Sequence, residues 1–490
     1  MKICLITTMT PASENIRGTS ALPYHLIKGS LTPFPSPNGE GSNNINVNAN
    51  ANENRSEELL ENNSGYSENS KLETENFIIY TFNNNNLSDE KITEVEKELG
   101  VTIKKVPLPK WFLFVFKYKL LFLRLFLRYP IHHYVKLPQK YVDEIKSLNP
   151  DLIWVYGAEW SKVVNQFDGF QRIHTLPDSE ALYYYRMLGS RFVISDWKKF
   201  WRCAFMYPKF LRLERSFDTN EQITYHLVGE KDVEFLRNVN PGINARFLRH
   251  PHYEVRQHFI NGSVNDNENK SLTPNPSPKG EGDTHFHQPK IKLLIAGQYN
   301  LYMKQEADLL IEQLAFNEND NSLTPNPSPK ERRIKDFTSR ENSCVRFLQE
   351  NYVITFLGKG WERHVEILRG AGFEVEHIRF APDYIEEICK HDIQITPISI
   401  GTGTKGKVLD ALANGLLVIG TPYAMENIAV KGGESCIEYR DAKEVIDVLK
   451  DIPANLHKYE MMAEKGRQCV LEYHDRAKIA KELFNLSMQV

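Results

Sequence analysis

At 490 residues the chain is too long for one ordinary hydrophobic core, and two domains are expected. Hydrophobic residues make up 41% and charged residues 25%, the balance of a soluble globular protein. Sixty basic residues against 63 acidic ones leave a net charge of −3, which excludes a global basic field that would draw the molecule onto nucleic acid.

The N-terminal Met-Lys-Ile-Cys-Leu-Ile-Thr-Thr has too short an apolar run for a signal peptide and reads as a first strand, residues 2–7. Further apolar runs predict strands at 77–82, 152–156, 224–228, 291–296, 352–357, 393–396 and 416–420. Helical patterns lie between them at 232–237, 304–314, 362–370 and 384–389, and a closing helix spans 475–488. Strands alternating with helices imply parallel sheets covered on both faces. The first four predicted strands belong to one half and the last four to the other. The expected layout is an N-terminal Rossmann-like domain over 1–255, a linker over 256–288, and a C-terminal Rossmann-like domain over 289–472. The segment 473–490 would then fold back on the first domain.

The one internal repeat is not structural. SLTPFPSPNGEG from Ser30 recurs as SLTPNPSPKGEG from Ser271 and, truncated, from Ser322 to Lys330. The copies sit in Asn/Ser/Glu/Pro-rich stretches, about 30–75, 261–288 and 317–342, which cannot bury enough apolar surface to offset chain ordering. They read as disordered low-complexity insertions into loops. The six cysteines, Cys4, Cys203, Cys344, Cys389, Cys436 and Cys469, form no C-x-x-C pair, so a reduced, cytoplasmic compartment is expected, with neither a zinc knuckle nor a disulfide framework.

Residues 104–136 are basic and strongly apolar, with no acidic residue among them. Their charges argue against a membrane-spanning helix. Two readings stay open: an amphipathic element on the inner face of an anionic membrane, or a helix of the first domain whose lysines snorkel to water. His250 and His252 flank Pro251 near the linker and read as a hinge turn, with a metal site as the alternative.

The chemistry concentrates in residues 392–420, which read as strand, Gly-rich loop, helix, turn and strand. Thr404 is a candidate N-cap and Gly415 a left-handed residue just past the helix end. Val408, Leu409 and Leu412 make an apolar face, while Lys407, Asp410 and Asn414 form a polar stripe leading back to Gly403. Glycines, first-turn N–H groups and the cations Lys405 and Lys407 suit a diphosphate, and Asp410 could accept hydrogen bonds from ribose hydroxyls. Two other readings compete. Gly401–Lys407 matches G-x-x-x-x-G-K, but Val408 stands where a phosphate-binding loop of that type needs Ser or Thr for magnesium. A plain Gly-rich turn with solvated lysines is the other.

From Gly401 to Ile419 the sequence resembles the C-terminal half of glycosyltransferase family 4 enzymes (glycosyl transferases group 1), with their segment G-[ST]-G-T-[KR]-x-K-x-x-E-A-x-A-x-G-x-P-V-[IV]. Weaker likenesses follow in order: Gly297-Gln298 at a donor-side glycine loop, 353–360 at the next strand and turn, and 377–383, with Arg379 and Phe380, where backbone meets a nucleobase. In the first half, the loop beginning at Arg17, the stretch 173–179 and the stretch 227–232 also fit. The resemblance implies an α/β protein of GT-B fold, two Rossmann-like domains facing each other across a cleft. It implies transfer of a hexose, with retention of configuration, from a nucleotide sugar to a saccharide or lipid-linked acceptor in cell-surface polysaccharide or glycolipid synthesis. It places Gly297, Gln298, Arg379, Phe380, Thr402, Gly403, Thr404, Lys405, Lys407 and Asp410 on the donor. His174 and Asp178, which follow a predicted strand, would face the acceptor, Asp178 as its orienting group, with an ordinary satisfied core residue the equal alternative for His174; Lys407 completes the expected catalytic set. No Asp-x-Asp occurs, so neither metal nor cofactor is expected.

Two departures keep rivals open. The family's Glu-x7-Glu pair is Thr402 and Asp410 here, and Gln298 replaces a common arginine. A non-catalytic nucleotide-sugar-binding scaffold and a GT-B-like sugar-nucleotide epimerase therefore remain alternatives.

Overall fold

The computed structural model describes residues 1–13, 18–31, 76–158, 160–190, 196–256, 289–316 and 343–486. Arg17 and nearly all of the three low-complexity insertions and the linker lie outside the described residues.

The chain forms two parallel sheets. The first has seven strands: β1 (Lys2–Thr7), β2 (Asn76–Thr81), β3 (Thr102–Lys105), β4 (Leu152–Tyr156), β5 (Arg172–Leu176), β6 (Ile223–Leu227) and β7 (Ala245–Phe247). Their order is β3-β2-β1-β4-β5-β6-β7. The second has six: β8 (Ile291–Ala296), β9 (Tyr352–Leu357), β10 (Glu374–Ile378), β11 (Ile393–Thr396), β12 (Leu417–Gly420) and β13 (Ile437–Glu438), ordered β10-β9-β8-β11-β12-β13. Every pairing is parallel; Leu5 of β1, for example, stands between Ile79 of β2 and Trp154 of β4. β4 is buried at all five positions because helices cover both faces of the sheet, which is why it reads as a continuous apolar run.

All eight strands predicted from apolar runs are present, displaced by one residue at most. β3, β7, β10 and β13 escape that reading because they are short and, at the sheet edges, polar on one side. β5 escapes because Arg172, His174 and Thr175 interrupt its apolar character, although all three are buried.

In each sheet the connections change direction beside the first strand, between β1 and β4 and between β8 and β11. Ligands of open α/β sheets bind at such switch points, beyond the carboxyl ends of the strands. The loops after β1 and β8 are therefore where a site should form.

The helix Arg476–Asn485 follows the second sheet and crosses to the first. Asp475 caps it, accepting from Lys478 N at 2.7 Å. Its Ile479, Leu483 and Phe484 pack into the apolar face made by Ile3, Leu5 and Phe77, with the Phe484 ring centroid 5.5 Å from Phe77 and 5.2 Å from Trp154. His474 fixes the crossing: its Nδ1 bonds His250 O at 2.7 Å, and its Nε2 accepts from Ala429 N at 3.0 Å. His250 itself bonds Pro251 O and the Tyr253 hydroxyl, so the His-Pro-His stretch is extended chain held by hydrogen bonds rather than the expected turn, and no cluster able to hold a metal exists among the described residues. Removing the buried Phe484 ring should leave a cavity under the first sheet. Phe484→Ala is expected to lower unfolding free energy by about 3–5 kcal/mol in denaturant titration; an unchanged midpoint would contradict this packing.

Candidate functional site

Two cavities lie between the lobes. The first, of about 500 Å³, is walled on the C-terminal side by Gln298, Gly358, residues 379–385 and Lys407, and on the N-terminal side by Ser13, His25, Tyr253 and Glu254. Its floor is backbone. Gly297 has φ +130°, and a Cβ there would lie 3.4 Å from the Lys407 ammonium. Gly358 has φ +139°, and a Cβ there would come within 2.3 Å of Gly297 O. Only glycine permits both conformations and this approach. Trp361 Nε1 donates to the same Gly297 oxygen at 2.7 Å and fixes the turn.

Lys407 leans from the helix Gly406–Ala413 into this cavity, its ammonium 5.9 Å from the Tyr384 ring centroid. Accessible to the cavity but surrounded by protein, its amine is pulled below the ordinary lysine range by desolvation, with the Asp410 carboxylate opposing that shift. Asp410, one turn deeper, is buried; burial first, and then its charge, raise the phenols of Tyr253 and Tyr384. Asn414, the third member of the stripe, is buried too, accepting from Arg256 N at 2.7 Å and donating to Glu254 O at 3.1 Å. Arg379 reaches Glu362 at 2.9 Å, and Phe380 stands exposed at the rim. Two buried polar atoms of the cavity-lining side chains, His25 Nε2 and the Tyr384 hydroxyl, have no hydrogen-bond partner among the described residues. Such atoms call for a ligand or another partner.

The Gly-rich loop sits elsewhere than its sequence implies. It is docked on the N-terminal lobe: Gly403 N donates to Asp232 Oδ2 at 3.2 Å and Thr404 Oγ1 donates to Val228 O at 2.7 Å, while Asn427 Nδ2 of its own lobe donates to Gly403 O at 3.0 Å. Thr404 is therefore not the N-cap. Its hydroxyl is committed across the lobes, and Lys405 occupies the cap position without a side-chain cap bond. Gly415 does adopt the left-handed conformation past the helix end, φ +86°. Lys405 does not line the first cavity; its ammonium donates to Thr402 O at 2.6 Å and Gly403 O at 3.1 Å, among the charges of Asp178, Asp232 and Glu426. Thr402, Gly403, Thr404 and Lys405 thus form an interlobe seam, while Gly297, Gln298, Arg379, Phe380 and Lys407 surround the cavity.

Asp178 lies at that seam. A Cβ on Gly403 would collide with its Oδ1, so the loop passes directly over the carboxylate. Asp178 also lines the second cavity, of about 540 Å³, with Glu180, Tyr183, Lys199, Arg202 and Tyr302. Burial first, then the neighbouring Asp232 carboxylate, raise the Asp178 carboxyl to about 7. His174, by contrast, reaches neither cavity. It is buried between Phe217 and Tyr225, with Nε2 2.7 Å from Gly157 O, and is a core residue of β5.

Sequence reasoning missed the groups that close the seam. Arg186 makes a paired contact with the Glu426 carboxylate, at 2.8 and 2.9 Å, and also donates to Gly401 O. On the helix Glu180–Leu188 it reads as a solvated charge, and only the fold reveals its partner 240 residues away. Asp232, buried in the helix Glu230–Val239, accepts from Ser179 N at 2.8 Å as well as from Gly403. His25, Tyr253 and Tyr384 carry no motif at all.

The raised Asp178 carboxyl makes stability depend on pH. Between about 3.8, the ordinary value of an aspartate, and about 7 the folded chain keeps a proton that the unfolded chain has lost. Its contribution is therefore full at acid pH and is lost as pH rises through 7. Urea denaturation of Asp178→Asn should show a smaller stability difference between pH 5 and pH 8 than the parent; an equal difference would contradict this environment.

Residues 340–485 match the family model described as glycosyl transferase-like. The whole chain is similar in fold to HepE of Anabaena solved with UDP, at 9% identity, TM-score 0.51 and full coverage of both chains. It is similar to a glycosyltransferase from Rickettsia africae, at 11% identity and TM-score 0.52 over 100% of this chain and 98% of that one. It also resembles OtsA, at 8% identity and TM-score 0.52 over 100% of this chain and 99% of that one. No curated protein matches the sequence. The two facing parallel sheets are the GT-B fold.

Proposed function

We propose that this chain, a glycosyltransferase of the GT-B fold with a glycosyl transferase-like C-terminal domain, moves a hexose from a nucleotide sugar to a saccharide or lipid-linked acceptor. The observation that carries this reading is the first cavity, where the side-chain-free turns at Gly297 and Gly358 lie beside the Lys407 ammonium. Backbone that close, with one cation and the N-terminus of the helix Gly406–Ala413, suits a diphosphate. Residues 379–383 would frame the base; Asp410, buried and off the cavity wall, would help keep the Lys407 amine charged rather than meet the ribose. HepE is solved with UDP-glucose, which makes a uridine diphosphate hexose the first donor to try.

In the transfer, the acceptor hydroxyl oxygen bonds to the anomeric carbon as the bond to the diphosphate oxygen breaks. Lys407 stabilises the charge that develops on the leaving diphosphate; preorganised groups of this kind contribute a few kcal/mol, roughly 3–4 for one donor in a dry site. The acceptor would occupy the second cavity, where Asp178 holds its hydroxyl. A carboxyl raised to about 7 is matched to taking up the released proton near neutral pH. Retention of configuration, independence of metal, and a cytoplasmic setting with contact to the inner membrane surface through 104–136 belong to the same reading, in polysaccharide or glycolipid synthesis. No helix among the described residues is long and apolar enough to cross a membrane.

Thr402 favours one rival specifically. It occupies the place of the acid that contacts the donor sugar in the resembled family, and the loop around it is held against the other lobe. A nucleotide-sugar-binding scaffold without turnover would fit that arrangement. Product analysis with a panel of nucleotide sugars separates the two: binding without product supports the scaffold. If transfer occurs, Lys407→Ala should lower kcat at least tenfold, about 1.4 kcal/mol of transition-state stabilisation. A variant as fast as the parent would refute the role given to Lys407.

A further inference from the structure

The face of the N-terminal lobe that carries residues 104–136 is larger than that segment. The helix Lys110–Lys117 and the turn Leu121–Leu125 leave Phe114, Phe122 and Phe126 exposed, Phe126 to 81%. Beside them runs the helix Trp197–Arg215, whose Trp197, Trp201 and Phe205 recur at helical spacing and are exposed as well. The two pieces enclose a surface cavity of about 760 Å³, lined by aromatic rings together with Arg128, Lys209 and Arg212.

Lys209 joins the pieces. Its side chain is 6% exposed, and its ammonium donates to the carbonyls of Arg124 and Leu125 and, at 2.6 Å, Leu127. The turn is thereby fastened to the longer helix as one preformed surface. Its charge has a single sign: no Asp or Glu occurs between 104 and 142, nor between 197 and 213, while Lys and Arg recur throughout both. Exposed large apolar rings on two segments whose own charges are all cations are complementary to an anionic interface with an apolar interior. A protein partner would need acidic and apolar groups arranged to match; a bilayer with anionic headgroups has both everywhere.

The same long helix shares its other side with the acceptor cavity, to which it contributes Lys199, Arg202 and Cys203. We propose that this composite face docks the chain on an anionic lipid bilayer and that the acceptor is an amphiphile entering the second cavity along the helix Trp197–Arg215, its polar head passing Lys199 and Arg202 while its apolar tail stays in the membrane. This deepens the transfer reading and rests on it for the identity of the second cavity.

The test is co-sedimentation of the full chain with vesicles of phosphatidylcholine alone and with about 30% phosphatidylserine, at moderate salt. The parent should bind the anionic vesicles at least roughly tenfold more strongly than the neutral ones, and the double variant Phe126→Ser/Trp201→Ser should lose at least roughly tenfold of that binding. Donor hydrolysis without acceptor should be unchanged in the double variant. Equal binding by parent and variant, or failure of the parent to bind anionic vesicles, overturns the proposal. A parent that turns over donor but ignores vesicles removes the docking face alone. One that binds vesicles but turns over no donor removes the transfer reading and leaves the face standing.

Discussion

The approach of two backbone turns beside one ammonium sets the rest of this molecule's arrangement. Gly358 touches the carbonyl of Gly297, and Lys407 reaches over Gly297 from the neighbouring helix. Any side chain at either glycine would separate β8 from β9 at their carboxyl ends or fill the space beside the cation. The topology explains why those turns meet there: β8 is the strand beside which the sheet changes direction, so the loops after β8 and β9 both open on the cleft. The N-terminal lobe supplies the facing wall from the matching place, beyond β1 and in the helix Gly18–Ser30.

The second organising feature is the seam between the lobes. Arg186, Glu426, Asp178, Asp232 and Lys405 bring five charged groups together around the Gly-rich loop, and the backbone of Gly403 completes the network. Burial raises the carboxyls of Asp178 and Asp232, the Asp232 carboxylate adding to the rise at Asp178, which makes the seam sensitive to protonation, while the opposing cations hold it together. Lys407, just past this loop, lines the first cavity, and Asp178, over which Gly403 passes, lines the second. A movement of the loop on ligand binding would therefore be felt in both, as closure around substrates requires.

Much of the fold is legible in the sequence, and the exceptions have physical causes. Strands covered on both faces read as unbroken apolar runs, as in Ile153 to Tyr156, whereas β5 hides three polar side chains in the core and gives no such signal. The turn at Gly297 and the helix bearing Lys407 and Asp410 are legible as local elements, because a glycine turn after a strand and an amphipathic helix each leave their own pattern. The placing of Thr404 and Lys405 is not. A Gly-rich loop with two lysines reads the same whether it opens to a ligand or docks on a second lobe, and what decides is Val228 and Asp232, distant in sequence. His174 illustrates the converse, a histidine that looks available and lies in the core.

The most direct measurement is a crystal structure of the chain with a uridine diphosphate hexose bound. The account predicts diphosphate oxygens within about 3 Å of the Lys407 ammonium and beside the Gly297–Gln298 backbone, with the base toward residues 379–383. A nucleotide seated on Lys405 and the 401–405 loop, with the cavity between Gly358 and Tyr253 left empty, would contradict it.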